Sequence, residues 1–194
     1  ELHQVDVLAM RRFEPKASRL HDLAVAIDKT LAAGRRIFLC GCGATGRLSL
    51  SLEVFCREYM LLPDLRERVT GFMAGGGLGL SKSSEKFEDH PEVGTRRRDG
   101  LGFADGDLLI SSTEGGETPF VIGATEHAAQ ISSNLPWFLY CNPDDELARQ
   151  VERSRRVIQN PRIEKINLAV GAMAISGSTR MQASTVLMAA IGFA

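Results

Sequence analysis

The chain has 194 residues, of which 44% are hydrophobic and 24% are charged, and its formal net charge is −1 at pH 7. A chain of this length is sufficient for one well-buried domain and short for two. The balanced charge lacks the basic excess that favours nucleic acid or an anionic membrane surface as a partner. No apolar run approaches the length that spans a bilayer, so we expect an ordinary globular protein that binds neither nucleic acid nor membranes.

The cysteines and the N-terminus bear on the cellular compartment. Three of the four cysteines fall in apolar runs, and the spacing between Cys40 and Cys42 is not one that binds zinc. We therefore expect reduced thiols in a cytoplasmic protein, with no cofactor and no metal. The start of the chain has no charged residue followed by an apolar core, so it does not resemble a secretory signal.

Helices and strands are predicted to alternate along the chain. The N-terminal segment 1–34 is predicted to be helical, with one helix from Pro15 to Gly34. Apolar runs predict strands at 37–40, 69–73, 107–111, 137–141 and 163–170. Helical spacing predicts helices at 45–59, 120–130, 144–157 and 181–193. The stretch 81–101 fits no regular element. The last helix has no polar stop or glycine cap, so we expect the natural protein to continue.

The predicted strands are near-continuous apolar runs with helices between them. This pattern is typical of an α/β fold with a parallel sheet covered on both faces. Ligands of such sheets bind at the carboxyl ends of the strands. Three loops rich in Gly, Ser and Thr fall at such ends, at 41–46, 111–118 and 176–180. A loop of this composition is by default only a loop, but three at equivalent places favour one shared ligand site.

The first of these loops is the most informative. Gly41, Gly43 and Gly46 lie between a predicted strand and a predicted helix. Glycine lets the backbone approach a ligand, and the first N–H groups of a helix have no partner within it. Thr45 adds a hydroxyl and Arg47 adds a positive charge. The pattern therefore predicts an anion site.

Two alternatives to a small phosphorylated ligand remain for this loop. The Gly-x-Gly-x-x-Gly spacing also fits the dinucleotide fingerprint, which needs an acid about twenty residues later, at the end of the second strand. The acid at that distance, Asp64, precedes the second predicted strand instead. A tight turn without any ligand is the other alternative. A small phosphorylated ligand fits best.

Several strings, taken in their order along the chain, resemble one family. They are Gly-Cys-Gly-Ala-Thr-Gly-Arg-Leu at 41–48, Ala-Gly-Gly at 74–76, Glu-x-x-Glu-Asp at 85–89, Thr-Pro-Phe at 118–120, Cys-Asn-Pro at 141–143 and Gly-Ser-Thr-Arg-Met at 177–181. The chain is similar to the sugar isomerase (SIS) domain family that contains N-acetylmuramic acid 6-phosphate etherase and the glucokinase regulatory protein. The resemblance implies a three-layer α-β-α fold with a five-stranded parallel, flavodoxin-like sheet, a phosphosugar ligand, and a SIS domain over 35–194.

The resemblance also assigns roles to individual residues. The ligand-binding residues that it implies are Gly43, Ala44, Thr45 and Gly46 in the first loop, Ser112, Thr113, Gly115 and Thr118 in the second, and Ser178 and Arg180 in the third. Glu88 corresponds to a family glutamate that faces the sugar and Glu85 to another acid nearby, so these two are the candidate catalytic acids. A solvated residue in a charged stretch is the alternative for Glu88. An intersubunit ion pair or plain solvation are alternatives for Arg180.

Departures from the etherase pattern concern its catalytic groups. The etherase uses the glutamate of Ser-Glu-Cys as acid and base, and the aligned residue here is Phe55. Glu53 lies two positions earlier, which is about 200° around a helix, so it should point to another face. A family acid is also missing at 171–173, and Gln182 replaces a lysine. Loss of a positioned base costs about 10²–10⁴ in rate. The chain therefore resembles the regulatory-protein branch more.

These observations lead to a set of functional expectations. The chain is expected to bind a hexose or amino-sugar phosphate as a sensor of the regulatory-protein type. The alternatives are an etherase-type lyase that releases D-lactate, a phosphosugar isomerase, and a scaffold with vestigial loops, so enzymatic activity stays open. By resemblance, we expect a homodimer or a second fused SIS domain, with a sugar kinase as the partner. The run at 96–98 is predicted to be a solvated charge run, and His127 an ordinary surface or packed residue.

Overall fold

The computed structural model describes residues 2–59, 66–80, 85–175, 178 and 180–194. The helices in this part of the chain are α1 (Leu2–Phe13), α2 (Ser18–Ala32), α3 (Gly43–Tyr59), α4 (Glu85–Glu88), α5 (Pro91–Gly100), α6 (Pro119–Ile131), α7 (Asp144–Gln150), α8 (Glu152–Gln159) and α9 (Gln182–Phe193). The strands are β1 (Ile37–Gly41), β2 (Val69–Met73), β3 (Leu108–Ser112), β4 (Trp137–Tyr140) and β5 (Glu164–Asn167). Short 3-10 turns lie at Glu14–Lys16 and Gly76–Leu80.

The strands form one five-stranded sheet in the order β2-β1-β3-β4-β5. Every neighbouring pair is parallel, and Ile37 of β1 lies opposite Val69 on one side and Leu108 on the other. The expected α/β fold with a five-stranded parallel sheet is thereby confirmed. The strand order reverses between β1 and β3, so the crevice at their carboxyl ends is where a ligand of such a sheet binds.

Each face of the sheet has its own apolar core. Successive side chains of a strand point to opposite faces. Ile37 and Leu39 accordingly pack on the side of α1, α2, α3 and α9, while Phe38 and Cys40 pack on the side of α5 to α8. Among the described residues, no helix combines the length and the apolar character needed to cross a bilayer. The division of the chain at residue 34 stays a prediction.

Two sequence-based predictions of regular structure were wrong. The stretch 81–101 was predicted to be irregular, yet it contains α4 and α5. α5 buries only Gly94 and Arg98, so no apolar periodicity marks it as a helix. The helix predicted over 144–157 is instead two helices, α7 and α8. They are separated at Val151, whose backbone is extended with φ −126° and ψ 105°. Helical spacing of apolar residues continues across such a break, so the pattern alone does not reveal it.

Helices α5 and α6 cross at unusually close range. A Cβ atom on Gly94 would lie 2.1 Å from the carbonyl oxygen of Phe120, and one on Gly123 would lie 2.4 Å from the carbonyl oxygen of Pro91. Glycine at both positions is therefore what permits this approach. Glu88 precedes α5 and Thr118 precedes α6, so the crossing holds two candidate site segments side by side.

A buried arginine reinforces the same crossing. The side chain of Arg98 is completely buried, although the run 96–98 was predicted to be solvated, so that prediction was wrong for this residue. Its Nη1 donates to the carbonyl oxygen of Ala124 at 3.3 Å, and its Nη2 donates to Asp99 Oδ1 and His127 Nδ1. The guanidinium carbon also lies 4.9 Å from the ring centre of Phe103. A buried charge persists only when it is paired, and here α6 supplies two of the partners.

Candidate functional site

The first candidate loop joins β1 to α3. The backbone N–H of Cys42 donates to Thr45 Oγ1 at 3.0 Å, and Thr45 Oγ1 donates to the carbonyl oxygen of Cys42 at 2.9 Å. Thr45 is buried, whereas Gly43 and Ala44 are half-buried. The threonine hydroxyl thus shapes the loop. The backbone N–H of Gly43 contacts the Cys42 thiol. The N–H groups that follow it in the first turn of α3 have no partner within the helix, as at any helix N-terminus, and such groups bind anions.

Close backbone contacts fix the shape of this loop. A Cβ atom on Gly41 would lie 2.3 Å from the backbone carbon of Thr45, and one on Gly46 would lie 2.6 Å from Met73 Cβ. Arg47 is exposed, and its Nη2 lies 3.4 Å from the carbonyl oxygen of Gly79. The loop is therefore packed between α3 and β2.

The second candidate loop follows β3 and leads into α6. Ser112 and Thr113 are buried, and the Ser112 hydroxyl donates to the carbonyl oxygen of Cys40 at 3.4 Å. The hydroxyl oxygens of Thr113 and Thr118 are 3.0 Å apart, and the carbonyl oxygen of Gly115 accepts a hydrogen bond from Asn142 Nδ2 at 3.0 Å. Thr118 and Gly115 are half-buried. Among these four candidates, they are the two that reach the surface.

Glu88 lies beside both loops. Cys42 Sγ donates to Glu88 Oε2 at 3.3 Å, which places the carboxylate at the mouth of the first loop. Glu88 also lines a pocket of about 210 Å³. The other residues of this pocket are Asp89, Glu117, Thr118, Pro119 and Arg153. The structure thus brings Glu88, the first loop and Thr118 together. The side chain of Glu85 lies outside the described residues, as does Asp64.

The third candidate loop is described in part, since residues 176, 177 and 179 lie outside the described residues. The backbone N–H of Ser178 donates to the carbonyl oxygen of Ile175 at 3.1 Å, and Arg180 is exposed. Met181 has φ 59° and ψ −126°, a left-handed backbone conformation that is rare outside glycine. Such strain is concentrated at functional sites in proteins. Burial raises the pKa of Glu114 in the second loop, and the nearby charge of Arg180 offsets part of that increase.

Comparison with known proteins assigns the family. Residues 20–129, more than half of the chain, match the family model of the glucokinase regulatory protein N-terminal SIS domain. The chain belongs to this SIS domain family. The resemblance expected from the sequence strings is thereby confirmed, since the matched region contains the first two candidate loops and Glu88.

Curated relatives of this SIS domain include N-acetylmuramic acid 6-phosphate etherases. The chain is 33% identical over 178 residues to the one from Synechocystis sp. and 34% identical over 172 residues to the one from Nostoc punctiforme. The alignments cover 90% and 87% of this chain and 54% and 51% of the two relatives. The chain therefore spans about half the length of the curated relatives it matches.

Solved structures share the fold of this SIS domain. A phosphoheptose isomerase from Francisella tularensis matches with a TM-score of 0.59 at 16% identity, covering 98% of this chain and 92% of that one. A putative tagatose-6-phosphate ketose/aldose isomerase from Clostridium novyi NT matches with a TM-score of 0.59 at 13% identity, covering 97% and 41%. At these identities, the likeness shows the fold alone.

Phe55, at the position aligned with the etherase's catalytic glutamate, and the nearby Glu53 both lie away from the pocket. Phe55 is 51% exposed near the end of α3, where its ring lies 6.1 Å from that of Tyr59. It lines an apolar groove of about 520 Å³ with residues of α2 and α9. Glu53 Oε2 accepts a hydrogen bond from the backbone N–H of Gly71 at 2.9 Å, and its Oε1 pairs with Arg57. In this SIS domain, neither residue joins Glu88 in the pocket.

Sequence reasoning assigned no contact to three residues around the site. Glu114 Oε1 accepts a hydrogen bond from Ser184 at 3.2 Å, which links the second loop to α9. Gln182 is buried, and it binds the backbone of the loop after β5 through Ala174 N–H at 3.0 Å and Ala172 oxygen at 3.2 Å. Arg153 reaches the pocket from α8. For Glu114 the sequence did offer a signal, since an acidic residue in a polar loop at a strand end is a candidate site residue. The other two residues lie on helices whose orientation the pattern does not give.

Among the described residues, no group of three or more His, Cys, Asp and Glu side chains has the arrangement of a metal site. The acids of the site are instead bound by hydroxyl, thiol and guanidinium groups. Burial raises the pKa of Glu114 above its ordinary value, and the Ser184 hydrogen bond and the Arg180 charge limit the increase. Desolvation disfavours the charged form of a carboxyl group, so ionised Glu114 opposes folding.

Replacement of Glu114 by glutamine is expected to stabilise the fold at neutral pH. The pKa of Glu114 is higher in the folded than in the unfolded protein. The free energy of unfolding is therefore highest below the unfolded pKa of about 4.3, where the carboxyl group is protonated in both states, and it falls as the pH rises through the folded pKa. Glutamine keeps an oxygen for Ser184 but carries no charge. Thermal unfolding at several pH values should show Glu114→Gln gaining on the wild type from pH 4 to pH 7. Glu117→Gln, in the same loop, is the matched control and should show no such gain. A Glu114→Gln variant that loses stability toward pH 7 would contradict this account.

Proposed function

We propose that this SIS domain binds a hexose or amino-sugar phosphate and acts as a regulatory sensor of that ligand. The observation that carries the proposal is the contact between Cys42 of the first loop and Glu88, which puts an acid beside an anion-binding helix terminus. The phosphate would lie at the N-terminus of α3. The hydroxyl groups of the sugar would face Glu88 and Thr118 in the adjacent pocket.

A sensor is favoured over a lyase by two of the departures from the etherase pattern, at Phe55 and Gln182. The residue aligned with the catalytic glutamate, Phe55, lines an apolar groove and offers no proton. Gln182, which replaces a lysine, has its side chain engaged by the loop after β5. The groups that would bind a phosphosugar remain, while groups that would move a proton are fewer. Proton transfer requires a group within hydrogen-bond reach of the reacting atom.

The second candidate function is an etherase-type lyase that releases D-lactate. It is favoured by the identity to relatives that carry the etherase name. Glu88 would then be the principal acid and base, since it lies at the pocket. The chain spans about half the length of these relatives, so a longer protein would contribute further residues. An isomerase is the third candidate.

We also propose that the domain works in the cytoplasm paired with a second SIS domain, in a homodimer or in the same polypeptide, and that a sugar kinase is the regulated protein. The apolar groove with exposed Phe55, Tyr59 and Met188 supports the pairing, since an exposed apolar surface is typical of an interaction site. Sedimentation of the protein as a monomer with one SIS domain would oppose the pairing. If complexes isolated with the protein contain no sugar kinase, the proposal that a kinase is the regulated protein would be contradicted.

A titration followed by phosphorus and proton NMR tests the function. Fructose 6-phosphate and N-acetylmuramic acid 6-phosphate are added to separate samples of the protein. We expect phosphorus shifts with a dissociation constant of about 1 mM or tighter, which corresponds to about −4 kcal/mol, and no lactate. Free lactate would establish the lyase instead. No shift with either ligand at millimolar concentration would refute phosphosugar binding.

The same titration identifies the role of Glu88. Glu88→Gln should weaken binding of fructose 6-phosphate, because a carboxylate accepts stronger hydrogen bonds from hydroxyl groups than an amide does. Glu92→Gln is the matched control, since Glu92 is exposed on α5. If lactate is formed and its rate survives Glu88→Gln, Glu88 is not the acid or base.

A further inference from the structure

The thiol of Cys42 occupies a particular place in the site. It lies between Gly41 and Gly43 at the carboxyl end of β1, and only 8% of the residue is exposed. Its Sγ atom is 3.3 Å from Glu88 Oε2. Among the residues that the structure describes, it is the side chain that forms a hydrogen bond with the Glu88 carboxylate. One residue therefore connects the anion loop to the candidate acid.

The direction of this hydrogen bond follows from the state of the thiol. Burial, together with the hydrogen bond to Glu88 and its negative charge, raises the pKa of Cys42 to about 12. The thiol is thus protonated at neutral pH, and its S–H group donates to the carboxylate. A thiolate in this position would repel Glu88. The thiol of Cys42 is therefore the donor and the carboxylate of Glu88 the acceptor over the whole physiological range of pH.

Glu88 depends on such a contact because its own helix is short. α4 has four residues, one turn, and a single turn has little stability without tertiary contacts. Cys42 belongs to a loop that Thr45 and the adjacent glycines hold rigidly. The thiol can therefore transmit the fixed position of the loop to the carboxylate.

We propose that Cys42 is a positioning residue that holds one carboxylate oxygen of Glu88, so that the other oxygen faces the hydroxyl groups of a sugar monophosphate. The inference rests on the proposed function, since the ligand is the same. It adds that the phosphate and the sugar are recognised through one connected unit, the anion loop with Glu88 attached. A carboxylate held there accepts hydrogen bonds from hydroxyl groups, so the sugar contributes to affinity beyond its phosphate.

The test compares two probes, inorganic phosphate and fructose 6-phosphate, on wild type, Cys42→Ala, Cys42→Ser and Cys56→Ala. Phosphate reports on the loop alone and fructose 6-phosphate on the loop with Glu88. Cys42→Ala should weaken fructose 6-phosphate by about 3- to 10-fold, the value of one hydrogen bond, and leave phosphate unchanged. Cys42→Ser keeps a donor and should recover most of the loss. Cys56 lies on α3 outside the site, so Cys56→Ala should match wild type.

Equal weakening of both probes by Cys42→Ala would mean that the thiol only supports the loop, which would overturn the proposal. Failure of Cys42→Ser to recover affinity would do the same. The effects of Cys42→Ala and Glu88→Gln should also be non-additive, because both remove one interaction. Additive losses would show that the two residues act independently.

A measurement without ligand separates this inference from the proposed function. Burial raises the pKa of Cys42 most, and the hydrogen bond to Glu88 and its charge raise it further. Glu88→Gln removes that second part, so it should increase the thiolate fraction and the rate at which iodoacetamide alkylates Cys42 at a fixed, mildly alkaline pH. Mass spectrometry resolves the sites, and Cys40, Cys56 and Cys141 serve as internal controls. An unchanged rate would overturn the Cys42–Glu88 contact. A raised rate together with no binding of fructose 6-phosphate would keep the contact and refute the ligand.

Discussion

Gly41→Ala is expected to lower the affinity for fructose 6-phosphate by at least about tenfold and to destabilise the fold. The new Cβ atom would lie 2.3 and 2.4 Å from the carbonyl carbon and oxygen of Thr45 and 2.6 Å from the nitrogen of Gly46. Backbone atoms of a helix start cannot move aside as a flexible side chain does. The loop that would receive the phosphate must therefore shift. Overpacking of this kind costs about 1–3 kcal/mol in stability.

Two measurements check the Gly41→Ala prediction, namely urea unfolding and the titration with fructose 6-phosphate. Gly77→Ala is the matched control, since nothing lies within 4 Å of a Cβ atom at Gly77. The control should unfold within about 0.5 kcal/mol of the wild type and keep the same affinity. A Gly41→Ala protein with unchanged stability and affinity would mean that the first loop adapts freely, and a rigid anion site would then be untenable.

Arg98→Ala is expected to lower the free energy of unfolding by about 2–5 kcal/mol, the range for truncating a large, fully buried side chain to alanine. The substitution removes the donor to Ala124 and the pair with Asp99, and leaves a cavity beside Phe103. It also frees α5 from His127 on α6. We therefore expect Glu88, which precedes α5, to lose its fixed position, so affinity for fructose 6-phosphate should fall as well.

Variants in the same helix distinguish burial from charge. Arg96→Ala removes an exposed arginine of α5 and should change stability by less than about 0.5 kcal/mol. Arg98→Met fills much of the cavity and should recover part of the loss, since an apolar side chain needs no partner. Urea unfolding measures all three. If Arg98→Ala is as stable as Arg96→Ala, the buried guanidinium does not hold α5 on α6.

Strands β1, β3 and β4 could be predicted because every residue in them is buried, and β2 because most of its residues are. β2, for example, was predicted over 69–73 with the bounds that it has in the structure. A short apolar run of that length between polar connectors is typical of a buried strand in a globular protein. The parallel arrangement followed from the helices between the strands, since parallel neighbours need a crossover. The class of fold was therefore accessible from the apolar strand runs together with the helices between them.

Helix α5 could not be predicted because other groups replace apolar contacts there. It packs on α6 through Gly94 and Arg98, one with no side chain and the other charged. Both the residue propensities and the absence of apolar periodicity in α5 predict a solvated segment. Only the partners on α6, such as the Ala124 oxygen and His127, make burial of Arg98 favourable. Those partners are known once the helices are placed in space.

The candidate site could be predicted at the level of loops and not of contacts. The anion loop and the polar loop after β3 were placed at the carboxyl ends of neighbouring strands, where the topology has them. The contact of Cys42 with Glu88 and that of Glu114 with Ser184 depend on side-chain directions in loops. Loop residues follow no period, so their directions are not encoded in spacing. The roles of these residues in ligand binding stay predictions.

The crossing of α5 and α6 at Gly94 and Gly123 limits how the pocket between Glu88 and Thr118 can adapt to a ligand. Neither glycine has room for one more carbon atom, so α5 cannot approach α6 any further. Closing the helices cannot bring Glu88 nearer to Thr118 around a small ligand, whereas opening them is sterically free. Selection by size should therefore act in one direction. A ligand too small to reach both residues gains nothing from induced fit, and a larger one is accepted at the cost of separating the helices.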